Sequence, residues 1–399
     1  MIYQPQRVTP RAELESRTIR LQEAMRNHDL DGAIIIQNAD LFYFAGTIQR
    51  SHLFIPTEGE PVLLVKKNYV RATRESKLKY IRDSPNVKEM SATVEALLGH
   101  KPKRIGFELD VIPANLLFFY QKLLAGVQIV DISGLIRQVR GVKSPYEIDL
   151  IREAAQLNFQ MFSHVKEFLH EGIPEIEFAS KLEALYRQGG HQCFIRMRGF
   201  NAEIVYGHLM SGWNLAVPSF FDGPTGGSGL NPSFPQGSGY KIIIRDEPVM
   251  VDYVGVKDGY MVDQARIFCI GKLKPHLTKA YAVAAEIQAA VKEMSKPGVC
   301  CADVYEAAVQ IAHRNGLRDH FMGYPESVAF IAHGIGIELD ELPVMARGYQ
   351  APLQEGMVLA LEPKFVFPDG AVGLENTLVV TPQGLENLTV FDESVGFLP

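Results

Sequence analysis

Long hydrophobic runs are missing from this sequence. No stretch approaches the ~18 consecutive apolar residues that a membrane-spanning helix needs, and the first residues, MIYQPQRVTPRAELESR, lack the apolar core of a secretory signal. An excess of positive charge is missing too. Against 46 Asp and Glu there are 40 Lys and Arg, a net charge of −6, which gives no footprint for nucleic acid or an anionic membrane. Cysteine is scarce. Cys193, Cys269, Cys300 and Cys301 show no metal-type spacing, and the adjacent pair is badly placed to bridge itself. Free thiols in a reducing, cytoplasmic compartment is the reading that follows. Nor does a glycine-rich phosphate loop follow any strand pattern, so a nucleotide-binding domain has weak support.

What is present is an ordinary globular composition, 47% hydrophobic and 22% charged over 399 residues, enough for two or three domains with a sizeable core. The first ~140 residues alternate helical and strand patterns, which argues an α/β domain. Thr9 and Pro10 read as the N-cap and first position of a helix striped by Leu14, Leu21 and Met25. Strand patterns follow at 32–37, 41–46, 52–56, 61–65, 105–108 and 127–130. A boundary falls near residue 142, giving domains 1–142 and 143–399. Just past it, Ser144, Pro145 and Glu147 spell N-cap, first helical position and capping-box acid. Residues 199–240, rich in Gly, Pro, Ser and Asn but studded with Trp213, Phe220, Phe221 and Phe234, read as a structured loop covering a site. His208 lies in it, as a satisfied surface histidine or as a side chain that touches substrate.

Two hairpin patterns carry acids. In Val249–Gly271, Lys257-Asp258-Gly259 is a turn signal. A loop at 256–259 would set Asp252 directly opposite Asp263, with Cβ atoms about 5 Å apart. In the second, Pro368-Asp369-Gly370 supplies the turn, and a loop at 367–370 sets Glu362 opposite Glu375. Carboxylates that close share a proton or a metal, unless each is separately solvated. Apolar strand context makes unpaired charge costly. His333, followed by Gly-Ile-Gly, lies between the hairpins in sequence. Four carboxylates and an imidazole can hold two divalent cations ~3.5–4 Å apart.

The pattern resembles the Xaa-Pro peptidase, prolidase and creatinase family. The matching residues are Asp252, Asp263 with Gln-Ala-Arg266 after it, His333-Gly-Ile-Gly, Leu361-Glu362-Pro363 and Leu374-Glu375-Asn-Thr, in the order and spacing of that family's five metal ligands. The sequence VRGVKSPYEIDLIREAA at 139–155 looks like its domain junction. The resemblance implies an α/β N-terminal domain, an α+β "pita-bread" catalytic domain with a curved antiparallel sheet, and a homodimer. It also implies two divalent metal ions, manganese first, with cobalt, zinc or iron as alternatives. By the same resemblance Asp252, Asp263, His333, Glu362 and Glu375 bind metal, Glu362 is also the general base, and Arg266 orients an aspartate from behind.

The departures concern substrate handling. Asp340 stands where family peptidases usually carry a second histidine, Gly373 where many carry arginine, Asn376 where an aspartate often follows the last glutamate, and Ala265 where threonine is common. Asp340 reads as a proton donor near the leaving group or an attractor of cationic substrate, or else as a surface residue of a rearranged turn. The expected activity is hydrolysis of a short peptide or amide, by default an Xaa-Pro bond. The alternatives are a hydrolase or lyase acting on a small metabolite, and a catalytically silent binding module.

Overall fold

The structure is a computed structural model that describes residues 3–399. The chain divides into two compact units, one reaching to Arg140 with Arg198–Phe200 added, the other comprising Gly141–Met197 and Asn201–Pro399.

The first unit is α/β. Its strands are β1 (Gly32–Ile35), β2 (Ser51–Pro56), β3 (Val62–Val65), β4 (Tyr80–Asp83), β5 (Arg104–Phe107) and β6 (Gln128–Asp131). They form one mixed sheet in the order β4-β3-β2-β1-β5-β6. Helices α1 (Arg11–Arg26), α2 (Asn38–Ala45), α3 (Tyr69–Glu75), α4 (Met90–Leu98), α5 (Ala114–Leu123) and α6 (Ser133–Gly141) fill the connections. Two local expectations are corrected. Pro10, not Thr9, occupies the N-cap position of α1, and no side chain caps it. The apolar run 41–46 is the body of α2 and not a strand. The Gln37 side chain accepts from the Asp40 N–H at its start and Gly46, at φ 70°, ends it. A short apolar run carries no period of its own, and these end signals decide it.

The second unit begins with α7 (Pro145–Ser163), opened by the Ser144/Glu147 capping box in both directions. There follow a short α8 (Val165–Phe168), α9 (Glu175–Gln188), and the strands β7 (Gly207–Ser211), β8 (Val249–Lys257) and β9 (Tyr260–Ile270). Helices α10 (Pro275–Met294) and α11 (Cys301–Arg314) come next. The rest is strand: β10 (Phe330–Gly334), β11 (Glu341–Ala346), β12 (Val358–Leu361), β13 (Lys364–Phe367), β14 (Gly370–Gly373), β15 (Asn376–Thr381), β16 (Gly384–Asn387) and β17 (Gly396–Leu398). One sheet runs β17-β9-β8-β7, another β11-β10-β12-β15-β16, and β13 pairs with β14. All these pairings are antiparallel except β17 with β9.

Strand alternation assigns the two faces. On β8 and β9, Val249, Val251, Tyr253, Phe268 and Ile270 pack against Phe162 of α7 and Phe178 and Leu182 of α9. Met250, Ile267 and Cys269 point the other way, into the core shared with Ala284 and Ile287 of α10 and Val304 of α11. Asp252 shares the face of Met250, and Asp263 that of Ile267. The acids therefore lie on the inner face, between the helix layers.

Candidate metal centre

The first hairpin is tighter than expected. Lys257 pairs with Tyr260, leaving only Asp258 and Gly259 as the turn, both at positive φ, 49° and 87°. That is the geometry two-residue hairpins favour. The register moves by two residues, so Asp252 faces Ala265 and Asp263 faces Val254. A shift of two keeps every side chain on its face. The aspartates are diagonal neighbours rather than directly opposed.

The second hairpin has the expected register. Phe367 pairs with Gly370 and Lys364 with Gly373, and beyond a break Leu361 pairs with Asn376. Glu362 and Glu375 sit in the break, in register, where the ladder opens between the two short sheets. Gln288 of α10 donates to the carbonyls of Leu361 (2.6 Å) and Leu374 (3.3 Å), the residues just before the two glutamates. The hairpins meet where Ala265 and Glu375 exchange backbone hydrogen bonds of 3.3 and 3.2 Å. Thr377 Oγ1 reinforces the junction, accepting from Asp263 N–H (2.8 Å) and donating to the Asp263 carbonyl (2.9 Å).

All five expected ligands are buried and converge; none is more than 8% exposed. Ligand atoms of Asp263, His333 and Glu375 all lie within 4.8 Å of one another. His333 arrives on β10. Its Nδ1 faces the carbonyl of Leu339 at 3.0 Å, which turns Nε2 toward Glu375 Oε1 (3.8 Å) and Glu362 Oε1 (3.9 Å). Glu375 Oε1 is buried without a hydrogen-bond partner. An orphaned carboxylate oxygen beside an imidazole and a second carboxylate, that of Asp263, is a donor set that fits a divalent cation.

The other side of the cluster is filled from the chain itself, by a residue that the sequence reading overlooked. Lys364 is 2% exposed, and its Nζ donates to Asp252 Oδ2 at 2.7 Å, Glu362 Oε2 at 2.9 Å and Glu375 Oε2 at 2.9 Å. The signal was available: a lone cation two residues after Glu362, on the same face, in the otherwise apolar run Lys364-Phe-Val-Phe.

The charges set one another. Burial pushes Asp252 and Glu362 up, to about 6 and about 7, against the pull of Lys364. Asp263 lies well above the carboxylate range because of burial and its neighbours Glu375 and Asp252. Burial acts on Glu375 too, but Lys364 and the nearby His333 ring outweigh it and hold it at about 2. Burial would discharge Lys364 and His333, yet the surrounding carboxylates keep both raised.

The remaining candidates fall around this centre. His208 is on β7, directly opposite Asp252, buried, with Nε2 3.4 Å from Gln236 Oε1. Its ring lies 5.1 Å from that of Phe221. Burial pulls its pKa down to about 4. It is therefore part of a strand beside the first aspartate and not a surface histidine. Asp340 is half exposed and touches His333 Nδ1 from outside at 3.3 Å. Arg266 does not reach the carboxylate of an aspartate ligand. Its guanidinium donates to the carbonyls of Ala265 and Glu375 at 2.8 Å each and to Asn376 Oδ1 at 2.8 Å, so it fixes the backbone on which Glu375 is carried. Residues 199–240 contribute β7 and the aromatic wall of a cavity of about 560 Å³, lined in part by Phe220, Phe221, Tyr324 and Val344.

A buried cluster of carboxylates and one histidine, held between two antiparallel hairpins and backed by helices, is a candidate centre for a divalent cation. The chain belongs to metallopeptidase family M24, whose sequence pattern matches residues 149–382; residues 17–142 match the creatinase/prolidase N-terminal domain. The fold is accordingly that N-terminal domain followed by the pita-bread catalytic domain. Among curated proteins, an uncharacterized peptidase of Bacillus subtilis is 24% identical over 90% of this chain and 94% of its own length. The Xaa-Pro dipeptidase of Pyrococcus furiosus is 24% identical over 94% and 98%. Among solved structures, an Xaa-Pro dipeptidase from Bacillus anthracis superposes with a TM-score of 0.82 at 22% identity, covering 96% of this chain and all of that one. The Pyrococcus horikoshii prolidase gives 0.79 at 23%, covering 95% and 99%.

Proposed function

We propose that this chain hydrolyses a short peptide, with an Xaa-Pro bond as the default substrate, using a divalent cation, manganese by expectation, held by Asp263, His333 and Glu375. The observation that carries the reading is this triad, with its buried, unpartnered Glu375 oxygen. A cation bound there would lower the pKa of water and polarise a scissile carbonyl.

The chain's own groups supply the rest. Glu362 Oε2 is committed to Lys364, which leaves Oε1 to take a proton from the attacking water and pass it to the leaving nitrogen. His333 is oriented by the Leu339 carbonyl and by Asp340 on its outer side, which makes Asp340 a positioning group. His208, beside Asp252 and against Phe221, is placed to meet substrate entering from the aromatic cavity. A domain boundary at 142/143, a homodimer and a cytoplasmic location complete the proposal, supported by the family match and the scarcity of cysteine.

Glu362→Gln should abolish turnover while metal remains bound, and an active variant would refute the mechanism. A panel of Xaa-Pro and other dipeptides assayed with added manganese tests the substrate class. Failure on every Xaa-Pro member would redirect the proposal to a small-metabolite hydrolase or lyase.

A further inference from the structure

Family resemblance leads one to expect two cations among five ligands. The side chains divide differently. Asp263, His333 and the Oε1 side of Glu375 face one another with no lysine or arginine among them. Asp252 Oδ2, Glu362 Oε2 and Glu375 Oε2 instead converge on the Lys364 ammonium. An ammonium has three N–H donors, and here all three are spent on carboxylate oxygens at 2.7 to 2.9 Å. A divalent ion bound to the same oxygens would sit roughly 2.0–2.6 Å from each. It would occupy the volume of Nζ itself, so lysine and metal exclude each other there.

The lysine is also built in, and not merely leaning in. It is paired across the hairpin with Gly373. A Cβ at residue 373 would lie 2.7 Å from Lys364 Cγ and 2.8 Å from its Cα. The stem therefore runs through space that only glycine leaves open. The glycine that stands at 373 in place of the arginine common in the family is coupled to Lys364 across the hairpin: the glycine makes the slot and the lysine fills it. Withdrawing the ammonium would break three charge-assisted hydrogen bonds in a buried site.

We propose that the Lys364 ammonium stands in permanently for one of the two metal ions, so that the working enzyme carries a single divalent cation, at Asp263, His333 and Glu375. This rests on the metallohydrolase reading above, and the test separates the two. Full-length protein is loaded with excess manganese, freed of unbound ion by gel filtration, and its metal content measured by elemental analysis. Wild type should carry one ion per chain and Lys364→Met two, because an isosteric apolar stem removes the competing charge. At full loading the wild-type manganese should give the electron paramagnetic resonance spectrum of an isolated ion. This readout holds even if Lys364→Met fails to fold. Two ions per wild-type chain, a spin-coupled pair in its spectrum, or a folded Lys364→Met that still binds only one would each overturn the proposal. Peptidase activity with a second ion bound would leave the functional reading standing. No ion bound under these conditions would overturn that reading and this inference with it.

Discussion

Glu175 offers a sharp test of how β7 is held beside the metal centre. It is the first residue of α9, fully buried, and each of its carboxylate oxygens accepts two hydrogen bonds. Oε1 receives the Ser211 N–H (2.7 Å) and hydroxyl (2.8 Å), and Oε2 receives Asn214 Nδ2 (2.6 Å) and the Gly239 N–H (3.1 Å). One side chain thus ties α9, the end of β7 and the return of the 199–240 segment together. All four partners are donors. In Glu175→Gln one oxygen becomes an NH2 group that must face two of them. Its better orientation is toward Ser211, whose hydroxyl can rotate to accept, but the Ser211 N–H is still left opposed and buried. A lost hydrogen bond to a charged acceptor is worth about 1.5–3 kcal/mol, and an orphaned donor costs about 1–3 kcal/mol more. The expected destabilisation is therefore about 2.5–6 kcal/mol, a fall in Tm of roughly 5–24 °C for a unit of this size. Glu175→Ala orphans all four donors and should cost more. Differential scanning calorimetry of the two variants settles it. A Gln variant melting within about 2 °C of wild type, beside a strongly weakened Ala variant, would mean that size rather than acceptor chemistry holds the junction, and would refute the reasoning.

Other perturbations follow from the same geometry. Gly373→Ala would place a Cβ 2.5 Å from the Pro363 carbonyl as well as against the Lys364 stem, and should cost about 1–3 kcal/mol by overpacking; an unchanged melting temperature would contradict the slot. His52 in the first unit lies against Tyr120 (2.8 Å) and is pulled by burial to about 4 from an ordinary 6.5. The unfolded chain takes up this proton first. The contribution is intact above pH ~6.5 and is lost as pH falls toward ~4, by at most roughly 3 kcal/mol. Unfolding titrations of wild type and His52→Gln between those limits should show a shallower acid limb in the variant, and parallel curves would exclude His52 as its source.

How much of this was readable beforehand depends on the kind of signal each residue carries. The capping box at Ser144 is local chemistry, and it lies where the residues place it. The second hairpin was legible to the residue because Pro368-Asp369 between apolar strands admits one register. The first was misplaced by two positions, since Lys257-Asp258-Gly259 is compatible with a four-residue loop as well as the two-residue turn that forms. Parity survived that error, so the carboxylates still converge. Residues 41–46 failed for another reason: six residues of mainly aromatic and aliphatic character carry no decisive period, and the Gln37 cap before them and the left-handed Gly46 at their end decide the matter. Lys364 was missed because a lysine in a strand is ordinarily solvated. Its isolation in an apolar run, on the face of Glu362, is the one local hint that its charge is inside.

The continuous register of the second hairpin bears on which changes in length the chain can absorb. From Phe367–Gly370 at the tip through Lys364–Gly373 to Leu361–Asn376, one pairing frame runs across the break that holds Glu362 and Glu375. A residue inserted or deleted at Pro368-Asp369 would slide the arms past each other and turn one glutamate away from the other, with no contact at the metal centre touched. The tip is an exposed turn of the kind that usually tolerates indels. Here its length is set by chemistry five residues away on either arm.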